Sequence, residues 1–387
     1  MVKSPISRRS RIEAVETVQV DGGWRTFVFV VVVTEGGLRG VGEATLEYHD
    51  AAVVAAIDEV ARVIRGLDAM RIEDIWQRLY RGARWRGGPV LMTAISGIDQ
   101  ALWDIKGKLA DLPVYELLGG ACREYVALYA NGPRGSTPDE LAASAAAIVQ
   151  RGFDAMKLLA AGPVLAVDDG EAAERTREAV GAIREAVGPR VRIAVDAHGQ
   201  YSPAMAIRLA RNLEPLGVWF LEEPVLPERP AALAQVGAAT SVPLALGERL
   251  FSRWEFQPFL KTGFLALAQP DLAHCGGVSE GRRIAALAEL YHAGFAPHNP
   301  LSPVNTLVSA HLALATPNFV ALEYVVDDVD WAGHLVTEPL DIRAGRLFVP
   351  DRPGFGVDLD MAVCRAHPPS RARWPLAFHA DGGVAES

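Results

Sequence analysis

The sequence predicts an α/β protein: a parallel (β/α) barrel preceded by an α+β unit. Three observations predict it. From residue 124 onward, eight short apolar runs alternate with Ala-rich stretches of helical period, most of them 20–30 residues apart. Residues 11–47 instead read as strands joined by a Gly-Gly turn, and 50–118 then switch to helical period, which makes an α+β unit. No Gly-x-Gly-x-x-Gly follows any of the eight runs, which counts against a dinucleotide-binding open sheet.

Each element follows from its residues. "RTFVFVVVVTEGGLRGVGEATL" is a β-rich run, a Gly-Gly turn and a second strand. Over 50–118, Ala, Ile, Val and Leu recur at three and four, the helical period. These two stretches make one α+β unit, residues 1–123. The barrel, 124–335, draws its strands from VALYA (126–130), DAMKL (154–158), RIAVD (192–196), VWFLE (218–222), PLALG (243–247), LALAQ (265–269), GFAPH (294–298) and FVALE (319–323). After Leu340 the text returns to turns and short strands, so 336–387 is expected to pack back on the first unit. The Pro-, Arg- and Gly-rich stretch 366–387 is expected to be weakly structured.

Composition narrows the function classes. Half the residues are apolar and 22% are charged, as in a globular chain with a large core. A net charge of −9 and short basic runs argue against a nucleic-acid surface. The three cysteines, Cys122, Cys275 and Cys364, show no metal spacing and read as reduced thiols of a cytoplasmic protein. No signal peptide is read at the start, and the longest β-branched run, Val28 to Val33, is too short to span a bilayer.

Chemistry collects at the strand ends. Asp196, Glu222 and Glu248 each close a barrel run, at two equal intervals of 26 residues, about one βα unit. Any one of them alone reads as a helix-capping acid. Three arriving at one rim would repel unless a cation sat between them. An all-oxygen donor set favours a hard ion, Mg²⁺ first. Glu223 neighbours Glu222 but is expected on the opposite face by strand alternation. Lys157 lies on the second run, Asp271 follows the sixth, His298 ends the seventh and Glu323 ends the eighth. An Asp beside a His holds one imidazole nitrogen and raises the basicity of the other, so His298 with Asp271 reads as a general base. His198 stands two residues beyond Asp196, on the same face.

These residues resemble the enolase superfamily, mandelate racemase subgroup, and within it the galactonate (acid sugar) dehydratases. The stretches that carry the resemblance are "WRGGPVLMTAISGIDQALWDIKGK", "VDAHG", "FLEEPV", "PLALGERLFSR", "QPDLAHCGG" and "APHNPLSP". The resemblance implies a modified TIM barrel, (β/α)₇β, under an N-terminal α+β capping domain. It implies Asp196, Glu222 and Glu248 as Mg²⁺ ligands and His298–Asp271 as the base dyad. Glu323 matches a residue that hydrogen-bonds the substrate carboxylate in its enolate form, and His198 one that protonates the leaving hydroxyl. A homo-oligomer is implied as well.

The shared first step of such enzymes is removal of the proton α to a carboxylate. In the racemase pattern a second lysine follows Lys157 by two residues; here that place is Leu159. Lys157 is therefore expected to bind a carboxylate rather than act as a base. The expected activity is dehydration of an aldonate-type acid sugar to a 2-keto-3-deoxy acid. An epimerase or racemase of the same superfamily and a non-catalytic binder of sugar acids are the competing readings. Trp24, Tyr48, His49, Arg84 and Trp85, on loops of the first unit, are candidates for contacts to the far end of the substrate.

Overall fold

The computed structural model describes residues 7–82, 84–370, 374 and 376–386. A three-stranded antiparallel sheet opens the chain: β1 (Ile12–Asp21), β2 (Thr26–Thr34) and β3 (Arg39–Glu43), in that order. Helices α1 (Asp50–Ile64), α2 (Ile72–Gly82), α3 (Pro89–Ala110) and α4 (Val114–Leu117) follow. The run Phe27–Val32 is entirely buried because both faces of the central strand are covered. Helix α3 lies close on β3, where a Cβ on Gly42 would fall 2.2 Å from the Gly97 carbonyl. Its polar side chains then satisfy that strand's edge: Val41 N donates to Asp104 and Glu43 N to Gln100.

The barrel strands are β4 (Val126–Asn131), β5 (Ala155–Leu159), β6 (Arg192–Asp196), β7 (Leu221–Glu222), β8 (Leu244–Leu246), β9 (Leu265–Ala268), β10 (Gly294–Phe295) and β11 (Leu322–Val325). Every expected run overlaps one of them. Between them run α5 (Pro138–Gln150), α6 (Glu171–Val187), α7 (Pro203–Leu213), α8 (Pro230–Gly237), α9 (Arg253–Leu260), α10 (Gly277–Leu290) and α11 (Pro303–Leu314). Neighbouring strands pair in parallel from β4 to β10, and β11 returns to β4. A parallel bridge between Phe295 and Phe319 closes the ring. Three of the helices start alike: Thr137, Ser202 and Ser302 cap α5, α7 and α11 with a side-chain oxygen, and proline follows each.

One residue from each strand or its immediate flank fills the barrel interior: Tyr129, Ala155, Ala194, Phe220, Ala245, Leu267, Ala296 and Ala321. Five alanines leave room for two aromatic rings and a leucine, so this layer is a packed floor. It sets the positions of everything above it.

After the barrel, β12 (Asp341–Arg343) and β13 (Arg346–Phe348) form a hairpin that pairs with β4 and extends the barrel sheet. Helix α12 (Met361–Ala366) then packs against β1, and Asp21 N donates to the His367 carbonyl. The stretch expected to be weakly structured carries a further hairpin, β14 (Ala377–Phe378) with β15 (Val384–Ala385). No helix among the described residues is long and apolar enough to cross a membrane.

His311 on α11 joins three parts of the fold. Its Nδ1 accepts from Tyr115 N at 3.2 Å and its Nε2 lies 3.3 Å from the Phe355 carbonyl. Burial pushes its pKa down to about 3, against an ordinary 6.5. The unfolded chain therefore binds one more proton between those values. Stability is complete above pH 6.5 and is lost as pH falls toward 3, by at most about 1.4 kcal/mol per pH unit. The melting temperature should fall between pH 6.5 and 4.5, and His311→Gln should flatten that fall. Equal slopes in both proteins would remove His311 as its source.

Candidate active site

Side chains alternate along a strand, so the residue two beyond each floor position points the same way, one layer higher. That rule yields Asn131 above Tyr129, Lys157 above Ala155, Asp196 above Ala194 and Glu222 above Phe220. It also yields Gln269 above Leu267, His298 above Ala296 and Glu323 above Ala321. The eighth position is Gly247, above Ala245. A Cβ there would fall 2.6 Å from the Phe256 ring, and its φ is +150°, so only glycine fits, and Glu248 follows it into the site. The functional layer is thus the second storey of the barrel.

Asp196, Glu222 and Glu248 come together: one carboxylate oxygen from each lies within 4.8 Å of the other two. Lys157 Nζ sits among the acids, 2.5 Å from Glu222, 2.9 Å from Glu323 and 3.2 Å from Asp196. One ammonium faces three buried carboxylates. Burial pushes Glu222 well above the usual carboxylate range despite Lys157, and Asp196, Glu323 and Glu248 add to the rise. Burial acts on Asp196 in the same sense, but Lys157 and His198 outweigh it and hold Asp196 low. The cluster is short of positive charge, and an oxygen-only donor set of this kind fits a hard divalent cation.

The two imidazoles flank Glu248. His298 Nε2 is 3.3 Å from Glu248 Oε2, and His198 Nε2 is 3.9 Å from Glu248 Oε1. Behind His298, Nδ1 lies 2.9 Å from Asp271 Oδ2, so in the neutral ring the proton sits on Nδ1 and the Nε2 lone pair faces the site. Burial works to lower the His298 pKa, but Glu248, Glu323 and the Asp271 bond outweigh it and hold it well above its ordinary value. His198 leaves the strand with φ 54°, and its backbone N donates to Asp196 Oδ1 at 2.9 Å. This left-handed backbone is rare outside glycine and collects at working sites.

Glu323 accepts from Lys157, from Asn131 Nδ2 at 2.7 Å and from Asn299 N at 3.0 Å. Burial raises its pKa, but Lys157 and His298 outweigh that and hold it low. As placed it is an acceptor that orients Lys157 and Asn131; donating to a substrate carboxylate would require it to take up a proton first. Leu159 stands one pleat beyond Lys157, half exposed, on the wall of the same cleft.

Glu223 departs from the expected alternation. Its φ of 41° takes the chain out of β-conformation, and its side chain is buried against Gly247. Oε1 accepts from Gly247 N at 3.0 Å, Oε2 has no hydrogen-bond partner, and burial with Glu248 pushes its pKa up to about 8.

The cleft above this layer holds about 640 Å³. Trp24 and Tyr48 line it; His49 does not, and lies edge-on to Trp374 at 5.4 Å. Arg84 and Trp85 are exposed and outside its lining. Four residues near the reacting groups were not among the sequence candidates. Asn131 and Gln269 are uncharged members of the second storey, and Gln269 Nε2 donates to Glu222 at 2.7 Å. Asn299 braces Glu323. His274 backs Asp271, 3.8 Å from its Oδ2, with Thr93 3.0 Å from its other nitrogen. The signal for the first two was the strand period itself; His274 stands one helical turn after Asp271.

Residues 6–119 match the mandelate racemase / muconate lactonizing enzyme N-terminal domain, and residues 140–363 match the enolase C-terminal domain-like family. The chain is 39% identical to the D-galactonate dehydratase of Ralstonia nicotianae, covering 97% of this chain and all of that protein. It is 39% identical to that of Cronobacter sakazakii with the same coverage. Among solved structures, a mandelate racemase/muconate lactonizing enzyme-like protein from Rubrobacter xylanophilus superposes with a TM-score of 0.88 at 35% identity, covering 93% of this chain and 98% of that one.

Proposed function

The chain belongs to the mandelate racemase and muconate lactonizing enzyme family of the enolase superfamily, and from that premise we propose that it dehydrates an acid sugar of the aldonate type. The product is an enol that tautomerises to a 2-keto-3-deoxy acid. The observation that carries this reading is the placement of two imidazoles on either side of Glu248, one backed by Asp271 and one not.

His298 Nε2 takes the proton α to the carboxylate, and Asp271 stabilises the imidazolium that results. His198, whose ring reaches solvent, delivers a proton to the β-hydroxyl as the C–O bond breaks, so water leaves. Lys157 and Asn131 stand on the carboxylate side and share the charge that develops there. Asp196, Glu222 and Glu248 would hold Mg²⁺, which when bound supplies Lewis-acid stabilisation of the substrate carboxylate. The unpaired thiols fit a cytoplasmic enzyme of a small-molecule pathway.

An epimerase needs a second base on the opposite face of the enolate. Lys157 is unsuited to that role: three carboxylates within 3.2 Å keep it charged. Leu159, one pleat on, carries no proton. Purified protein with Mg²⁺ should therefore give a 2-keto acid from one or a few aldonates in a panel of acid sugars. Deuterium incorporation at the α-carbon without keto acid would favour the epimerase. His198→Asn should lose about 10²–10³-fold in water loss while keeping α-proton exchange in D₂O. Equal loss of both steps would reduce His198 to a structural part.

A further inference from the structure

The cationic groups of the cleft lie on one side. Among the described residues that line it, every cationic or imidazole group, Lys157, His198 and His298, belongs to the barrel. The capping domain and the C-terminal hairpin contribute Trp24, Tyr48, Ala377 and two carboxylates, Glu47 and Glu386. Of the guanidiniums near the cleft, Arg249 lies 3.6 Å from Glu248 and Arg134 donates to Asn131, both on the barrel, while Arg25 on the capping side is buried and committed to Asp328 at 2.7 Å.

The segment that leads into the hairpin touches the capping domain at two described residues. Ser370 Oγ donates to Asp21 Oδ1 at 3.0 Å, and the Trp374 ring meets His49. The hairpin's turn is closed by His379 N donating to the Gly383 carbonyl at 2.8 Å, with Gly382 at a φ of 85° that glycine alone adopts freely. Register is set by Ala377 opposite Ala385 and Phe378 opposite Val384, and Glu386 follows directly into the lining.

We infer that this hairpin forms a wall of the substrate cleft and that Glu386 is a specificity-determining residue, selecting sugar acids with one carboxylate over those with two. The inference rests on the acid-sugar dehydration proposed above. The substrate's reacting carboxylate is taken by the barrel side, where the cations are. Its far end then meets Glu386, an acceptor for hydroxyl protons. A second carboxylate at that end would face a like charge, and none of the described lining residues on that side is cationic. Such a repulsive element discriminates as effectively as a new attraction.

The experiment compares kcat/KM for six-carbon aldonates and the corresponding aldarates in the wild type, Glu386→Gln and Glu386→Lys, with Mg²⁺ present. Wild type should prefer the aldonate. Glu386→Gln should raise the aldarate value about tenfold and lower the aldonate value about threefold, since the site is exposed and partly screened. Glu386→Lys should shift the ratio further in the same direction. Raising the salt concentration should narrow the wild-type preference more than that of Glu386→Gln, where Glu47 alone remains on that side, a response that a purely structural role would not produce. Aldonate turnover with a ratio indifferent to both substitutions, or a wild-type preference for aldarates, would overturn the role of Glu386 and leave dehydration standing. No turnover of any acid sugar by the wild type would instead overturn the dehydration, and this inference with it.

Discussion

Replacing His298 by Asn should lower kcat by about three orders of magnitude or more, with Mg²⁺ binding retained. An amide keeps a donor toward Asp271 but has no lone pair of suitable basicity to take a carbon-bound proton. The fold should tolerate the change. Asp271 would still accept from Ala273 N at 2.7 Å, and Asn305 Nδ2 lies 3.4 Å from it. Its neighbour His274 remains. The variant should melt near the wild-type temperature and show the same rise on adding Mg²⁺. It should also lose α-proton exchange in D₂O, because removal of that proton precedes everything else. A variant that still exchanged at the wild-type rate would move the base elsewhere. Asp271→Asn should fall in the same direction, since an amide at that position no longer fixes the tautomer that leaves Nε2 free.

The barrel was legible because its period is long and regular. Equal intervals between Asp196, Glu222 and Glu248 report one βα unit each, and ionisable groups at strand ends announce themselves by being costly there. Asn131 and Gln269 occupy equivalent positions without that signal. An amide at a strand end is unremarkable until the floor residue two positions earlier is known to face the barrel axis. Glu223 follows the strand end at Glu222, and its left-handed backbone takes it out of the alternation that holds only while the chain stays extended.

The regions that escaped are those where local pattern is short. Strands β14 and β15 have two residues each, below the length at which alternation shows, and a Gly-rich composition made the tail look unstructured. Only the tertiary structure puts Ala377 and Glu386 on the wall of the cleft. Arg84 and Trp85 lie outside the cleft lining. A loop rich in Arg and Trp looks like a binding segment, but where it lies depends on how α2 and α3 sit over the barrel, which no local pattern encodes.

Chelation of divalent metal should abolish turnover, and Mg²⁺ should restore it. A readout independent of activity follows from the electrostatics. Without a dication, Asp196, Glu222 and Glu323 share the single charge of Lys157, and Glu248 has only the flanking imidazoles and Arg249 at 3.6 Å. A cation that binds only the folded chain stabilises it by about 2.7 kcal/mol at a hundredfold excess over its Kd. The melting temperature should therefore begin to rise as Mg²⁺ passes its Kd and climb with the logarithm of its concentration beyond it. Glu222→Gln removes one donor and leaves Lys157 paired with Asp196 and Glu323, so the fold should survive while the onset of the rise shifts to much higher Mg²⁺ and activity falls below detection. The same substitution at Glu223, whose Oε2 has no partner, should leave a clear Mg²⁺ response, because that carboxylate turns away toward Gly247. A Mg²⁺ response lost in Glu223→Gln and kept in Glu222→Gln would exchange the two residues' roles, and the equal 26-residue spacing would then be coincidence.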